Sequence, residues 1–323
     1  MIIVTGGAGF IGSVLVYLLN QRGIDDIIIV DALRYGKKWK NLNGLKYADI
    51  FHKDDFYEML INKNTPKAET IFHLGACSST TETNADYLMS NNFAYTKELA
   101  KYATENNIRF IYASSAATYG DGSNGYDDNE DELDNLRPLN MYGYSKHMFD
   151  LWAKRNGLLN EIVGVKYFNV YGPNEYHKGD MRSVALKGFR QITRHGSIGL
   201  FRSYKREYPN GGQRRDFIYV KDAVEMTLFF MDNPNLHGIY NIGTGKARTW
   251  NDLALALFNA LGRKPYIEYI EMPEELRKKY QYYTKANIEK IKNAGYDNEI
   301  TSLEDGIEDY VKNYLIGNKT IAW

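Results

Sequence analysis

The sequence predicts an α/β fold, built as a doubly wound parallel sheet with helices on both faces. Apolar runs of strand length alternate with stretches of helical length through the first half of the chain. Those runs are apolar throughout, which is typical of strands buried on both faces. A glycine-rich turn, Thr5–Gly12, joins the first run to the first helical stretch. In such folds the ligand binds at the carboxyl ends of the strands.

The elements of the first half follow from length and period. Buried parallel strands are predicted at Ile2–Val4, Ile27–Val30, Thr70–Leu74, Phe110–Ala113 and Ile162–Tyr167. Helices are predicted between them, at Val14–Arg22, Phe56–Asn62, Tyr87–Glu105 and Tyr142–Arg155. The acidic, glycine-containing stretch Asp121–Asp134 is interpreted as a solvated loop.

The second half is less regular. No clear period follows Gly172 and Pro173, and the polar stretch Lys205–Gln213 indicates a turn or flexible flap. Later elements are predicted as strands at Phe217–Val220 and Tyr240–Gly245, and as helices at Lys221–Phe230, Thr249–Leu261 and Ser302–Tyr314. We expect a cofactor-binding domain of residues 1–170 plus about 214–242. A smaller α/β substrate-binding domain would comprise about 171–213 plus 243–323.

Composition limits the classes of partner. The 323 residues contain 40 Lys plus Arg and 40 Asp plus Glu, so no net charge favours a nucleic acid or a membrane surface. The one cysteine, Cys77, excludes an internal disulfide and a multi-cysteine metal site, and no metal is predicted. No apolar run is long enough to span a membrane, and the first predicted strand begins near Met1. We therefore predict a cytoplasmic protein.

Three glycines in the first turn have the spacing of a dinucleotide-binding loop. Gly6 permits a tight turn, Gly9 lets the backbone approach a pyrophosphate, and Gly12 allows the helix to pack closely. The second strand then ends in Asp31, the position that meets the cofactor ribose. This combination predicts dinucleotide binding.

A tyrosine and a lysine four residues apart predict acid–base chemistry. Tyr142 and Lys146 would lie on one face of a helix, one turn apart. A neighbouring ammonium favours the phenolate, so we expect the pKa of Tyr142 to be lowered. Ser115, at the end of the strand Phe110–Ala113, would hydrogen-bond the reacting oxygen.

These motifs resemble those of the extended short-chain dehydrogenase/reductases, which act mostly on nucleotide sugars. The supporting stretches are Tyr112–Gly120, Tyr167–Pro173, Arg215–Val220 and Asn241–Gly245. The resemblance covers nearly the whole chain and implies a Rossmann-type fold.

Three further stretches are similar to one branch of that superfamily, the ADP-L-glycero-D-manno-heptose 6-epimerases. They are His73–Glu82, Tyr176–Ala185 and residues 280–284. The resemblance implies inversion at C6 of an ADP-heptose used for the lipopolysaccharide inner core. It also implies transient oxidation and hydride return through tightly bound NADP, and a homo-oligomer, a pentamer in that family.

The same resemblance assigns site residues. Lys178 aligns with a second acid–base residue that acts beside Tyr142. The implied cofactor contacts are Gly6, Gly9, Phe10, Ile11, Gly12, Asp31, Ala32, Lys38, Lys53, Leu74, Gly75, Ala76, Cys77, Ser78, Asn91, Lys146, Val170 and Lys178. The implied substrate contacts are Asn169, Asp180, Lys187, Phe201, Arg202, Ser203, Tyr204, Arg215 and Tyr280. Arg215 suits a diphosphate, because a guanidinium pairs with phosphate oxygens as a fork.

Two questions stay open in the sequence. Asp31 favours NAD, whereas the resemblance assigns Lys38 and Lys53 to the 2′-phosphate of NADP. Asp180, Lys187 and residues 202–213 depart from the pattern of the resembled family. The alternatives are another nucleotide-sugar epimerase, a reductase or a dehydratase of the same superfamily, or an NADP-sensing module that has lost catalysis.

Overall fold

A seven-stranded parallel sheet forms the centre of the computed structural model, which describes residues 1–277 and 280–323. The spatial order of its strands is β10-β6-β5-β4-β1-β2-β3, and every pairing is parallel. These strands are β1 Ile2–Thr5, β2 Ile27–Asp31, β3 Asp49–His52, β4 Thr70–His73, β5 Arg109–Ser115, β6 Val163–Tyr167 and β10 Gly238–Ile242. The reversal of strand order beside β1 is the switch point at which such sheets bind ligands.

Helices connect the strands along the chain. Their bounds are α1 Phe10–Gln21, α2 Lys53–Ile61, α3 Ala85–Leu88, α4 Tyr95–Glu105, α5 Met141–Arg155, α6 Val184–His195, α7 Val220–Asp232, α8 Trp250–Ala260, α9 Glu274–Arg277, α10 Glu289–Asn293 and α11 Leu303–Asp309. Two π-helical turns, Met89–Ala94 and Tyr310–Leu315, follow α3 and α11. Within residues 1–277 and 280–323, no helix has both the length and the apolar character needed to cross a bilayer.

Two small sheets are built from the second half. One joins β7 (Asn169–Tyr171), β9 (Arg214–Tyr219) and β11 (Ala247–Thr249), and the other joins β8 (Ile198–Phe201) and β12 (Ile267–Ile270). The predicted α/β class with a doubly wound parallel sheet is confirmed. The division into two domains stays a prediction.

Three elements differ from the sequence-based expectation. β3 was not predicted, because its residues Asp49–His52 are mostly part-exposed at the sheet edge and lack an apolar run. The supposedly irregular stretch after Pro173 contains α6 and β8. α6 buries Ala185, Leu186, Gly188 and Ile192 and has basic residues on its other face. The hydrophobic period of this helix is therefore hard to recognise in the sequence. The predicted helix Tyr87–Glu105 is interrupted by the π-helical turn.

Candidate active site

A cleft of about 760 Å³ opens at the carboxyl ends of the central strands. It is lined by every residue predicted for catalysis and for cofactor binding. These are Gly6, Gly9, Phe10, Ile11, Gly12, Asp31, Ala32, Lys38, Lys53, Leu74, Gly75, Ala76, Cys77, Ser78, Asn91, Ser115, Tyr142, Lys146, Val170 and Lys178. Their roles stay predictions, but the fold brings them to one cavity.

The glycine-rich turn is as tight as the spacing predicts. Gly6 has a φ of +71°, and a Cβ there would lie 2.7 Å from the backbone nitrogen of Gly75. A Cβ at Gly12 would collide with the carbonyl oxygen of Gly6. The Gly9 amide donates to the same carbonyl at 2.8 Å. A Cβ at Gly9 would also lie 2.9 Å from the Gly6 carbonyl oxygen, so backbone contacts exclude side chains at all three positions and leave the loop narrow where a pyrophosphate approaches.

Asp31 is held by the protein itself. Its Oδ2 accepts from the backbone amide of Ala8 at 2.9 Å, and its Oδ1 accepts from the amide of Ala32 at 2.7 Å. Lys38 forms an ion pair with the same Oδ1. The carboxylate is 7% exposed, so its charge is balanced by Lys38 at the floor of the cleft.

Further cations surround this end of the cleft. Arg34 donates to the hydroxyl of Tyr87 at 2.7 Å, and both residues line the cavity. The ammonium of Lys53 lies 2.8 Å from Asp54, whose pKa is lowered mainly by that bond. The narrow glycine turn together with this basic end fits a dinucleotide that carries phosphates.

Tyr142, Ser115 and Lys146 meet beside this turn. α5 begins after Asn140, whose side chain accepts from the amide of Gly143 at 2.8 Å. Lys146 is 3% exposed and donates to the carbonyl of Ala113 at 2.8 Å. Burial lowers the pKa of Lys146 to about 8.

The prediction that the pKa of Tyr142 is lowered is wrong for the protein without a bound cofactor. Burial raises the pKa of Tyr142, and the opposing contribution comes from its hydrogen bond with Ser115. Burial sets the direction of this shift, and the Lys146 ammonium donates to the carbonyl of Ala113. The phenol is thereby kept neutral, as a proton donor requires.

Lys178 reaches the same cleft from a different direction. Its ammonium lies 5.3 Å from the centroid of the Phe10 ring, at the start of α1. Burial lowers the pKa of Lys178, and the nearby Glu175 carboxylate opposes that shift. A lysine with a lowered pKa can accept as well as donate a proton.

The predicted substrate residues are mostly not on the cleft wall. Among them only Asn169 lines the cavity within the described chain. Arg215 and Tyr280 lie behind Trp250, which is itself on the wall. The guanidinium of Arg215 lies 5.7 Å from the Trp250 ring, and the Trp250 indole donates to the Tyr280 hydroxyl at 3.0 Å. Arg215 is buried and donates to the carbonyl of Gln281 at 2.5 Å.

The residues that depart from the resembled family form two groups. Lys187 donates to the backbone carbonyl of Asp180 at 2.7 Å, and both are exposed. Arg202 forms an ion pair with Glu271 at 2.8 Å, and Tyr204 bonds the same carboxylate.

Ser203 and Phe201, the other two predicted substrate residues of the stretch 201–204, contact different residues. The Ser203 hydroxyl donates to the carbonyl of Lys205 at 2.9 Å, and the Ser203 amide donates to Asn210 at 2.9 Å. Phe201 packs edge-on to Tyr280. This stretch and the turns of 205–213 thus lie together with Tyr280, beyond the cleft wall.

Two buried features were missed by the sequence-based reasoning. Asn92, in the π-helical turn Met89–Ala94, exchanges two hydrogen bonds with the backbone of Cys77 and donates to Ser145 at 3.0 Å. Asp150, on the buried face of α5, and Lys166, on β6, form a fully buried ion pair at 3.0 Å. The adjacent Asn91-Asn92 pair was the only sequence signal for the first, and the second had none.

The fold and this cleft define a dinucleotide-binding enzyme, and the chain belongs to the NAD dependent epimerase/dehydratase family, whose model matches residues 2–243. Among curated proteins, the chain is 54% identical to the ADP-L-glycero-D-manno-heptose-6-epimerase of Nitratidesulfovibrio vulgaris strain DP4 over 98% of both chains. It is 51% identical to the enzyme of that name from Fusobacterium nucleatum, again over 98% of both. The predicted resemblance is confirmed.

Solved structures agree with this relationship. The ADP-L-glycero-D-manno-heptose-6-epimerase of Helicobacter pylori superimposes with a TM-score of 0.82 at 29% identity, over 97% of this chain and 95% of that one. A UDP-N-acetylglucosamine 4-epimerase from Methanobrevibacter ruminantium gives 0.81 at 26% identity, over 98% of each. The fold alone therefore does not separate a 6-epimerase from a 4-epimerase, whereas sequence identity does.

Proposed function

We propose that the protein epimerises C6 of ADP-D-glycero-D-manno-heptose to give the L-glycero epimer, for the inner core of lipopolysaccharide. The observation that carries the proposal is the meeting of Tyr142 and Lys178 at one cleft beside the glycine turn, in a chain that is half identical to 6-epimerases. Inversion of a carbinol carbon needs a proton-exchanging group for each orientation of the oxygen. This cleft supplies two.

A bound nicotinamide would remove hydride from C6 and return it to the opposite face of that carbon. C6 of a heptose is bonded to two carbons, so its oxidised form on the sugar is a ketone. The hydroxyl proton of one epimer passes to Tyr142 or Lys178. After the ketone turns over, the other of these residues gives a proton to the oxygen. No net oxidation results, and solvent restores the two protonation states.

The pKa shifts favour different starting roles for the two residues. Burial keeps Tyr142 protonated, which suits a donor, and brings Lys178 toward its neutral form, which suits an acceptor. Ser115 would hold the sugar oxygen, and Lys146 would bind the ribose hydroxyls of the cofactor and keep the nicotinamide beside Tyr142.

NADP is the proposed cofactor, with NAD as the alternative. Asp31 would repel a 2′-phosphate if its charge were free, but Lys38 balances that charge and two backbone amides occupy its oxygens. Lys53 and Arg34 add positive charge at the same end of the cleft. Mass analysis of the nucleotide released on denaturation tests this choice. Release of NAD alone would contradict it.

The substrate site is proposed beyond the wall formed by Trp250. Arg215 would bind the diphosphate there, with Asn169 on the cleft side and Tyr280 on the other. The domain boundaries near 170, 214 and 243 and the cytoplasmic location, both predicted from the sequence pattern, remain part of this proposal, as does the homo-oligomer that the resemblance implies.

The decisive experiment supplies ADP-D-glycero-D-manno-heptose to the purified protein without added cofactor and follows the C6 configuration by NMR. Conversion to a mixture of both epimers would support the reaction, the substrate and a retained cofactor together. No conversion, even with added NADP, would contradict the proposal and favour another nucleotide sugar. Stoichiometric consumption of NADPH would indicate a reductase instead.

A further inference from the structure

The segment that carries Lys178 has little secondary structure of its own. Within the described chain, one short 3-10 turn, Gly179–Met181, is the only regular element between the end of β7 and the start of α6. Proton exchange requires the group to stay within hydrogen-bond reach of the reacting oxygen. Contacts other than a helix or strand must therefore hold Lys178 in place.

A buried asparagine, Asn174, makes such contacts four residues before Lys178. Its Nδ2 donates to Ser13 Oγ at 2.8 Å, and its Oδ1 accepts from the backbone amide of Ile321 at 2.9 Å. Its carbonyl accepts from Asn41 Nδ2 at 3.0 Å. Asn174 is 0% exposed, and its φ of +75° lies in the left-handed region, where asparagine is more common than most residues.

Two of these contacts continue to the glycine-rich turn. Ser13 Oγ donates to the carbonyl of Gly9 at 2.6 Å. The Asn41 side chain that bonds Asn174 also donates to the carbonyl of Ala8 at 3.1 Å. Two neutral side chains therefore connect the Lys178 segment to the turn that would hold the pyrophosphate.

The segment 319–322 closes the outer side of this cluster. The hydroxyl of Tyr176 donates to the carbonyl of Lys319 at 2.8 Å. Ile321 is buried, and its amide supplies the bond to Asn174. The carbonyl of Ala322 lies so near Gly44 that a Cβ at Gly44 would approach it to 2.6 Å. Asn174 thus lies where three separate parts of the chain meet.

We propose that Asn174 is a positioning residue that fixes the Lys178 segment against the glycine-rich turn. The Lys178 ammonium lies 5.3 Å from the ring of Phe10, the residue that begins α1. The hydrogen bonds of Asn174 maintain this distance. The proposal rests on the proposed acid–base role of Lys178. In this proposal the neutral, buried amide of Asn174 fixes the position of Lys178 relative to the cofactor site.

The test compares Asn174→Gly with Asn318→Gly. Glycine keeps the left-handed backbone at 174 and removes both side-chain bonds. Asn318 also has a positive φ, of +50°, but is exposed, so it controls for the backbone effect of the substitution. We expect kcat of Asn174→Gly to fall by about 10-fold to 10²-fold, with a smaller change in KM, and Asn318→Gly to match the parent.

Two readouts separate positioning from a general loss of structure. Stopped-flow absorbance of the bound nicotinamide, after mixing with each epimer separately, reports the first half of the reaction. Asn174→Gly should slow this phase for the epimer that Lys178→Met slows, and leave the other near the parent rate. Amide hydrogen exchange should accelerate in residues 172–183 and 319–322 of Asn174→Gly only.

Equal slowing with both epimers, or unchanged exchange in those two segments, would overturn the positioning role. If Asn174→Gly does not fold, Ser13→Ala removes the bonds of the Ser13 hydroxyl to Asn174 and to the Gly9 carbonyl, and it must give the same one-sided effect. A Lys178→Met variant without a one-sided effect would overturn the role of Lys178, and the positioning proposal with it. The two failures are therefore distinguishable.

Discussion

Tyr142 and Lys178 face the same cleft from two different kinds of scaffold. Tyr142 lies in the first turn of α5, a 15-residue helix that begins at an asparagine cap and packs on the central sheet. Lys178 lies in an irregular segment held by side-chain contacts. The helix fixes its residue through backbone bonds that any helix has, whereas the segment depends on a few particular side chains.

The supports of the two regions also differ in kind. Asp150, on the buried face of α5, accepts from Tyr112 and Ser114 and forms a buried ion pair with Lys166. In the Lys178 segment, the amides of Asn174 and Asn41 are neutral, and the buried carboxylate of Glu175 accepts from the hydroxyls of Ser183 and Tyr310. A buried charge left without its partner is costly, while a lost amide bond costs about a kcal/mol. Loss of Lys166 should therefore appear in stability, and loss of the Asn174 side-chain bonds in rate.

The largest effect is expected at the phenol of the helical region. Tyr142→Phe removes the proton that the phenol exchanges and should lower turnover by about 10³-fold, with the cofactor still bound. NMR at C6 measures the turnover, and the nucleotide released on denaturation measures the retained cofactor. Tyr144→Phe, at an exposed position in the same turn, is the matched control. Near-parent activity of Tyr142→Phe would remove it from the acid–base role.

The next effect concerns the ionic support of that helix. Lys166→Met leaves Asp150 charged and buried, so the free energy of unfolding should fall by about 3–5 kcal/mol. Chemical denaturation measures it. Lys312→Met breaks an exposed pair with Glu308, and the loss there should be about 0.3–0.5 kcal/mol. Similar losses in the two variants would show that the buried pair does not support the helix.

Lys178→Met tests the second region directly. We expect turnover to fall by about 10²-fold, with the first half of the reaction slowed for one C6 epimer and little changed for the other. Tyr142→Phe should slow that phase for the opposite epimer. The free energy of unfolding should stay close to the parent value. A mild and equal effect with both epimers would indicate that Lys178 only binds substrate.

The smallest effect is a pH dependence at Lys146. Its pKa is lowered by burial from 10.5 to about 8, so the unfolded chain binds more protons between these pH values. Stability of the cofactor-free protein should therefore rise with pH across that window. Lys146→Met should be more stable than the parent below pH 8 by about 1–3 kcal/mol, and the difference should shrink toward pH 10.5.

Unfolding curves of Lys146→Met and the parent, recorded at several pH values, measure that change. Lys154→Met is the control, because it lies on the same helix but reaches solvent. A constant difference between Lys146→Met and the parent across the window would contradict a buried ammonium at Lys146.

The sequence alone determined the parts of the molecule whose contacts are local. The turn from Gly6 to Gly12 and the pair Tyr142 and Lys146 are set by spacings within one turn or one helix. Their positions could be predicted because neighbouring backbone geometry fixes them. The apolar runs likewise predicted five strands of the central sheet, since burial on both faces leaves an unbroken pattern.

Only the tertiary structure decided the rest, because those contacts join residues far apart in the chain. Asn174 meets Ile321, and Lys166 meets Asp150, through packing that no local pattern encodes. The same holds for Arg215, which the fold places behind Trp250 and not on the cleft wall. Burial, which also follows from the fold, reversed the expected direction of the Tyr142 pKa. Local spacing thus identified Tyr142 and Lys146, the family resemblance added Lys178, and long-range packing set the environment of all three.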